Sequence, residues 1–174
     1  MKHLPLLSLL ALGSASAFAA SAPSSLFGNN LEVSYVRQTT DGVAGHINGW
    51  ELSATAYLGN SDAFVNAQTT VGGDAGNGDD QVSLGYRLKN VGSLADVALT
   101  VGSDEAYGLA LHRALGGGFG AWASYERVSG GHDVTVVLSK MIVSNISADL
   151  GYSWIVRDGS ADVNQWSLGV RYKF

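Results

Sequence analysis

Apolar and polar residues alternate with a period of two along most of the chain. The clearest stretch is 166–174, in which every even position is apolar and every odd position is small or basic. A period of two places the two sets on opposite faces of a β-strand. A helix would instead mix Arg171 and Lys173 with the apolar side chains. The pattern therefore predicts a strand here.

The same alternation predicts ten strands, separated by segments rich in Gly, Asn, Asp and Ser that are typical of turns. The predicted strands are 31–38, 50–58, 63–72, 82–89, 95–102, 106–113, 119–128, 133–141, 146–156 and 166–174. Suppose that these strands cross a membrane up and down and that the first one starts on the periplasmic side. The chain then returns to that side after an even number of strands. The periplasmic turns are then 59–62, 90–94, 114–118 and 142–145, and the external loops are 39–46, 73–79, 103–105, 129–132 and 157–164.

The face that carries the apolar residues has the properties of a lipid-facing surface. Its charged residues are Arg37, Arg113, Arg127 and Lys140, all near strand ends, from which long side chains reach the headgroups. Aromatic residues fall at the two predicted membrane boundaries, as in transmembrane barrels. The predicted aromatic girdle is Tyr35, Trp50, Tyr107, Tyr125, Trp154 and Trp166 on the external side, with Phe119, Tyr172 and Phe174 on the periplasmic side.

These observations predict an all-β fold, an antiparallel up-and-down transmembrane β-barrel. Ten strands are favoured and eight are the alternative. The opposite face of the strands carries the predicted interior polar network, which consists of Glu32, Glu51, Arg87, Lys89, Asp96, His112, Glu126, Asp149 and Arg171. Charges removed from water need partners, and a barrel of this size leaves room mainly for side chains. The pattern favours a filled interior over a permeation path.

The first residues have the three parts of a secretory signal peptide. Lys2 and His3 form a basic start, residues 4–12 an apolar run, and Ala17-Phe18-Ala19 a small-residue cleavage site. The apolar run is too short for a membrane helix, which needs roughly 20 residues. The predicted organisation is a cleaved signal peptide at 1–19, a flexible lead-in at 20–29 and a barrel at 30–174.

Composition agrees with strands that cross a membrane. The chain has 23 glycines, 2 prolines, 14% charged residues and no cysteine. The lack of cysteine excludes a disulfide framework. With 10 Lys and Arg against 15 Asp and Glu, the net charge of −5 argues against binding to nucleic acid. No cofactor is expected.

The signal peptide, the strand set, segment 80–88 and the ending 168–174 resemble small outer-membrane β-barrels, of the OmpX/OmpA-like or YfaZ-like kind. The alternating residues at the end look like the signal by which the barrel-assembly machinery recognises a client. These residues are Leu168, Val170, Tyr172 and Phe174. The resemblance implies assembly by that machinery with the help of periplasmic chaperones. We expect a monomer in the Gram-negative outer membrane, in contact with lipid and lipopolysaccharide. The resemblance implies no single activity, and OmpX-like barrels have eight strands.

Two pairs at the external end are candidate catalytic residues. Asp79 and Asp80 with His132 and Asp133 resemble the Asp-Asp and Asp-His pairs of omptin proteases, which activate a water. Omptins, however, are much larger and enclose a cleft between tall walls. Acidic and glycine-rich loop residues are also what turns use.

No histidine spacing or acidic segment matches a zinc or calcium site. We therefore expect no catalytic site, no metal site and no enzymatic activity. The expected role is structural, or an interaction at the surface through the external loops. A narrow pore for small solutes is the alternative, and a surface hydrolase is the remote one.

Overall fold

The computed structural model describes residues 28–75, 80–92, 95–103 and 105–174. The predicted signal peptide and residues 20–27 of the predicted lead-in lie outside this part. Gly28 and Asn29 precede the first strand, and Asn29 Oδ1 accepts a hydrogen bond of 2.9 Å from the backbone N–H of Tyr57. Within the described ranges, no helix has the length and apolar character needed to cross a membrane.

Ten strands form where the alternation predicts them, and a 3-10 turn at Gly73–Ala75 follows the third. The strands are β1 (Asn30–Thr40), β2 (Ile47–Tyr57), β3 (Ala63–Val71), β4 (Gln81–Val91), β5 (Ala95–Gly102), β6 (Tyr107–Gly116), β7 (Phe119–Val128), β8 (Gly131–Val143), β9 (Ile146–Arg157) and β10 (Val163–Lys173).

Each strand pairs antiparallel with its neighbours in the chain, and β1 pairs with β10 to close the barrel. The closing seam runs from the pair Asn30–Lys173 to the pair Thr40–Val163. The predicted ten-stranded all-β barrel is confirmed, and the eight-stranded alternative is wrong. We call the end beside Asn30 and Lys173 the terminal end, and the opposite end the loop end.

Three strands start two or three residues earlier than the alternation predicts. β2, β8 and β10 begin at Ile47, Gly131 and Val163 instead of 50, 133 and 166. Backbone pairing extends the ladders here, since Ile47 lies opposite Gln38 and Gly131 opposite Val128. Strand pairing depends on backbone groups, so it continues where the side chains no longer alternate. The loop-end connection between β7 and β8 is consequently only residues 129–130.

Burial follows the period of two around the barrel. Large apolar side chains such as Leu84, Leu99 and Leu168 are exposed on the outward face, whereas most inward side chains are buried. This is the reverse of a water-soluble barrel and matches a protein whose outer surface meets lipid.

Candidate functional site

The inward faces of the ten strands form a lumen in which charged side chains are buried. Seven members of the predicted interior network are buried there, namely Glu32, Glu51, Asp96, His112, Glu126, Asp149 and Arg171. Arg87 is also largely covered. Lys89 is the exception, because its side chain is half exposed at the terminal end and forms a 2.6 Å ion pair with Asp62 of the β2–β3 turn. Lys89 thus lies at the rim and not in the interior.

Arg171 is the centre of a charge cluster that joins β10 to both of its neighbours. Its guanidinium is 0% exposed and donates to Glu32 Oε2 from Nε at 3.0 Å and from Nη2 at 2.9 Å. Nη2 also lies 2.7 Å from Asp149 Oδ2. The Ser34 hydroxyl donates to the second oxygen of Glu32 at 2.9 Å. Gly169, opposite Ser34, leaves the room for these groups, since a Cβ there would overlap the Ser34 hydroxyl.

A second charge cluster joins β4 to β5 at the same end of the lumen. Arg87 Nη2 lies 2.7 Å from Asp96 Oδ2, and the backbone N–H of Asn90 donates to Asp96 Oδ1 at 2.7 Å. His112 is the register partner of Asp96 on β6 and is buried beside it. The carboxylate of Asp96 therefore has a partner on both oxygens, as a buried charge requires.

Beside these charges, the lumen also contains an apolar cluster. It consists of Phe64, Ala98, Ala110, Trp122 and Val137, with Tyr57 packed against it. These residues come from β3, β5, β6, β7 and β8, and in a ring of ten strands β3 and β8 are on opposite walls. The sequence interpretation expected only polar groups inside and missed this cluster.

Gly85 explains how the ring of Phe64 fits inside the wall. The two residues are register partners on β3 and β4, and a Cβ on Gly85 would overlap the Phe64 ring. The ring therefore lies against the bare backbone of β4, and it packs against Tyr57 with centroids 5.4 Å apart. Without a side chain at 85, the aromatic group is able to fill the lumen.

The loop-end half of the lumen holds a third charge cluster. Arg157 Nη2 donates to Asp133 Oδ2 at 3.2 Å, and Arg157 Nη1 donates to Asp133 Oδ1. Glu126 is the register partner of Asp133 on β7. The sequence interpretation placed Asp133 at a loop and Arg157 in one. The signal for their inward position was the alternation itself, which continues through 133 on β8 and 157 on β9.

Neutral polar pairs complete this half. Gln38 Nε2 donates to Gln165 Oε1 at 2.6 Å across the closing seam, and the hydroxyls of Thr135 and Ser153 are 2.8 Å apart between β8 and β9. Such cross-strand pairs satisfy buried polar groups without a net charge.

The predicted girdle residues lie on the outward face. Tyr35 packs edge-on against Trp50 with ring centroids 5.5 Å apart, and Tyr172 stacks with Phe174 with ring centroids 6.3 Å apart. Trp154 and Trp166 both pack against Tyr152, with ring centroids 4.5 and 4.6 Å from that of the tyrosine. Tyr152 was not among the predicted girdle residues. Tyr107, Phe119 and Tyr125 are also exposed on this face.

Three of the four outward cations have local partners, which lie at the two ends of the barrel. Arg37 Nη2 lies 3.3 Å from His46 Nδ1, and Arg127 pairs with Asp158 at 3.7 Å near the loop end. At the terminal end, Lys140 donates to the Gly117 carbonyl at 2.6 Å and lies 4.0 Å from the centroid of the Phe119 ring. Each long side chain thus reaches a polar group at the edge of the apolar surface.

The four candidate catalytic residues do not come together in the described part of the chain. His132 faces outward and stacks on Tyr125 at 5.7 Å, whereas Asp133 faces the lumen and is bound by Arg157. Asp80 is exposed in the residue before β4, and Asp79 lies outside the described residues. Neighbouring residues on one strand point to opposite faces, so His132 and Asp133 do not form a pair around one water.

The terminal end holds a cavity of about 170 Å³ between the β2–β3 turn and β4. It is lined by Tyr57, Asp62, Arg87 and Lys89, among others. The two cations here already have carboxylate partners. Among the described residues, no group of three or more His, Asp or Glu is placed to hold a metal ion.

The closed ring of ten antiparallel strands, with an apolar outer face and buried charges inside, defines a β-barrel of the transmembrane type. Among solved structures, the chain is similar to the NanC porin, with 13% identity and a TM-score of 0.50 over 83% of this chain and 100% of that one. It is also similar to the KdgM porin, with 13% identity and a TM-score of 0.49 over 82% and 99%. An outer membrane channel from Pseudomonas putida F1 has 12% identity and a TM-score of 0.48 over 84% and 96%.

These structural neighbours are outer-membrane barrel proteins, and at this level of identity the likeness concerns the fold alone. No family model matches the chain, and no curated protein matches its sequence.

Proposed function

We propose that the protein is an integral protein of the Gram-negative outer membrane with a closed lumen and a structural or surface-interaction role. In this arrangement the terminal end faces the periplasm and the loop end faces the exterior. The observation that carries the proposal is the apolar cluster, whose buried side chains come from strands on opposite walls of the barrel. An ion that passed this point would lose its hydration without gaining polar partners.

The charge clusters support the same role. Arg171 forms ion pairs with both Glu32 and Asp149, and Arg87 forms one with Asp96. A permeation path needs polar groups that are free to replace water, as in the rings of pores. In these two clusters the charged groups bind each other and tie neighbouring strands together.

The loop end favours contact with a partner of positive charge. Among the described residues, the exposed acids at this end are Asp41, Asp74, Asp80, Glu105, Asp158 and Asp162. Complementary charge steers partners toward such a surface. The arrangement at this end gives no support to a hydrolase. The connections are short, and His132 and Asp133 lie on opposite faces of β8.

Conductance in planar bilayers tests the closed lumen. We expect no discrete steps from the refolded wild type. Phe64→Ala combined with Trp122→Ala removes the two largest apolar side chains of the apolar cluster, so discrete steps are expected from that variant. The matched control is Phe119→Ala with Trp166→Ala, which removes the same two side-chain types from the outward face and should stay silent.

Steps from the wild type would contradict the closed lumen and favour the narrow pore. A silent Phe64→Ala, Trp122→Ala variant that folds would show that the apolar cluster is not the barrier.

We further propose that the protein is a monomer, in contact with lipid and lipopolysaccharide, and is assembled by the barrel-assembly machinery with periplasmic chaperones. The outward side chains at the end of the chain support recognition of β10 by this machinery. Leu168, Val170, Tyr172 and Phe174 are all exposed and form one row on the outward face. The Phe174 N–H also donates to the Asn29 carbonyl at 3.0 Å and thereby lengthens the closing seam.

Phe174→Ala with Tyr172→Ala is expected to lower the fraction found in the outer membrane while export to the periplasm continues. Fractionation and heat-modifiable gel migration measure the two steps separately. Leu99→Ala with Leu109→Ala, which also removes two outward side chains, serves as the control. Normal assembly of the Phe174, Tyr172 variant would remove this role from the row.

A further inference from the structure

Three inward positions in the loop-end half of the lumen form a row across β5, β6 and β7. Thr100 lies opposite Gly108, and Gly108 lies opposite Glu126. Neighbouring strands are about 4.8 Å apart, so the outer two Cα atoms are separated by about 10 Å. Gly108 has no side chain, and nothing on β6 therefore stands between the side chains of Thr100 and Glu126.

Both flanking side chains present an oxygen that lacks a partner. Glu126 is 3% exposed, and its Oε2 atom accepts no hydrogen bond from the described residues. Thr100 is 6% exposed, and its Oγ1 atom is likewise without a partner there. Buried polar atoms are nearly always hydrogen-bonded, so two unpaired oxygens on either side of a glycine indicate a place for a ligand.

The charges around the row define the ligand's charge. Asp133 is the next residue in the row, and both of its carboxylate oxygens accept hydrogen bonds from Arg157. Asp133 therefore has an ion-pair partner, whereas Glu126 forms no ion pair with a described residue and its Oε2 atom accepts no hydrogen bond from one. One unmatched carboxylate calls for one positive charge.

We propose that Glu126, Gly108 and Thr100 form a binding site for a small monovalent cation with N–H donors, a protonated primary amine. The ammonium group donates a charge-assisted hydrogen bond to Glu126 and a second one to the Thr100 hydroxyl. A calcium ion would need six to eight oxygen ligands, and the row offers one free carboxylate. Glu126 lies two residues before the end of β7 at the loop end, so the amine enters from there and stops above the apolar cluster.

The urea midpoint of the refolded full-length barrel in detergent tests the site, because a ligand that binds only the folded state raises it. Methylammonium chloride is the probe. Tetramethylammonium chloride, which has the same charge and no N–H donor, keeps the ionic strength constant. We expect the wild-type midpoint to rise with methylammonium and to stay unchanged with tetramethylammonium.

Three variants locate the effect. Glu126→Gln should weaken methylammonium binding at least about tenfold, as expected for loss of a hydrogen bond to a charged group. Thr100→Val and Gly108→Ala should weaken it by a smaller factor, the second by filling the space without removing a polar group. Glu51→Gln, a second buried acid of the lumen, is the matched control and should leave binding unchanged.

A wild-type midpoint that does not respond to methylammonium would overturn the site, and so would an equal response to tetramethylammonium. An unchanged response in Glu126→Gln would overturn it as well. Unfolding, and not conductance, is the readout. Failure here is thus distinct from failure of the closed-lumen proposal.

Discussion

Replacing Arg171 with methionine is expected to lower the free energy of unfolding in detergent by about 3–5 kcal/mol. The guanidinium is fully buried and contacts Glu32 and Asp149 at 2.7–3.0 Å. Methionine fills a similar volume but leaves two buried carboxylates without their cation. The cost arises from those two charges, because removing one partner of a buried ion pair strands the other. Urea unfolding followed by tryptophan fluorescence measures the loss.

Two further variants separate charge from volume. Arg113→Met makes the same substitution at an exposed outward position and should change the free energy of unfolding by less than about 1 kcal/mol. Adding Glu32→Gln and Asp149→Asn to Arg171→Met should recover much of the stability, since the stranded charges are then gone. A loss no larger than that of Arg113→Met would mean that the cluster does not hold β10 in place.

Trp122→Ala is the second large effect, with an expected loss of about 3–5 kcal/mol. The Trp122 side chain is 2% exposed and belongs to the apolar cluster. Its removal leaves a void that the rigid strands close only in part. The folded state then loses both the free energy of burying the ring and the contacts around the empty cavity. The same urea titration measures it.

The chain supplies a matched control in Trp166, which is 55% exposed on the outward face. Trp166→Ala removes the same ring from the lipid or detergent side, where surrounding tails fill the gap. Its loss should be clearly smaller than that of Trp122→Ala. Equal losses would place the stabilising contacts at the outer surface and not inside the lumen.

The sequence predicts the strand number and the facing of most residues because a barrel wall is a single layer. Each side chain faces either the lipid or the lumen, and successive side chains alternate between the two. A period of two along the sequence therefore shows which face each residue is on. Arg171 and Glu32 fall on the inward side by this rule, and the structure places both there. The rule says nothing of which charges meet, since partners depend on the register between strands.

The interior apolar residues could not be predicted in the same way. In β3, Phe64 and Val65 are both apolar, and in β7 Ala121, Trp122 and Ala123 follow one another. Such a run does not alternate, so it does not show which side chains face outward. The assumption that every apolar side chain faces outward then places the lumen-facing ones on the wrong side. Only the closed geometry, with Gly85 bare beneath the Phe64 ring, shows that these rings point inward.

Arg157 was missed for a related reason. Aspartate, glycine and serine follow it, and they mark a loop that begins one residue later than predicted. Strand ends are set by backbone pairing, here between Arg157 and Gly131, which leaves no mark on the side-chain pattern.

The closing seam has a consequence for the order of folding. β1 and β10 pair over their whole length, although nearly all of the described chain lies between them. Hairpins such as β8–β9 join neighbours and form early, whereas contacts between distant segments form slowly. Until β10 arrives, β1 presents an open edge with free N–H and C=O groups, which invites pairing with other chains. We therefore expect the interval before closure to be the period in which this chain is most exposed to pairing with other chains.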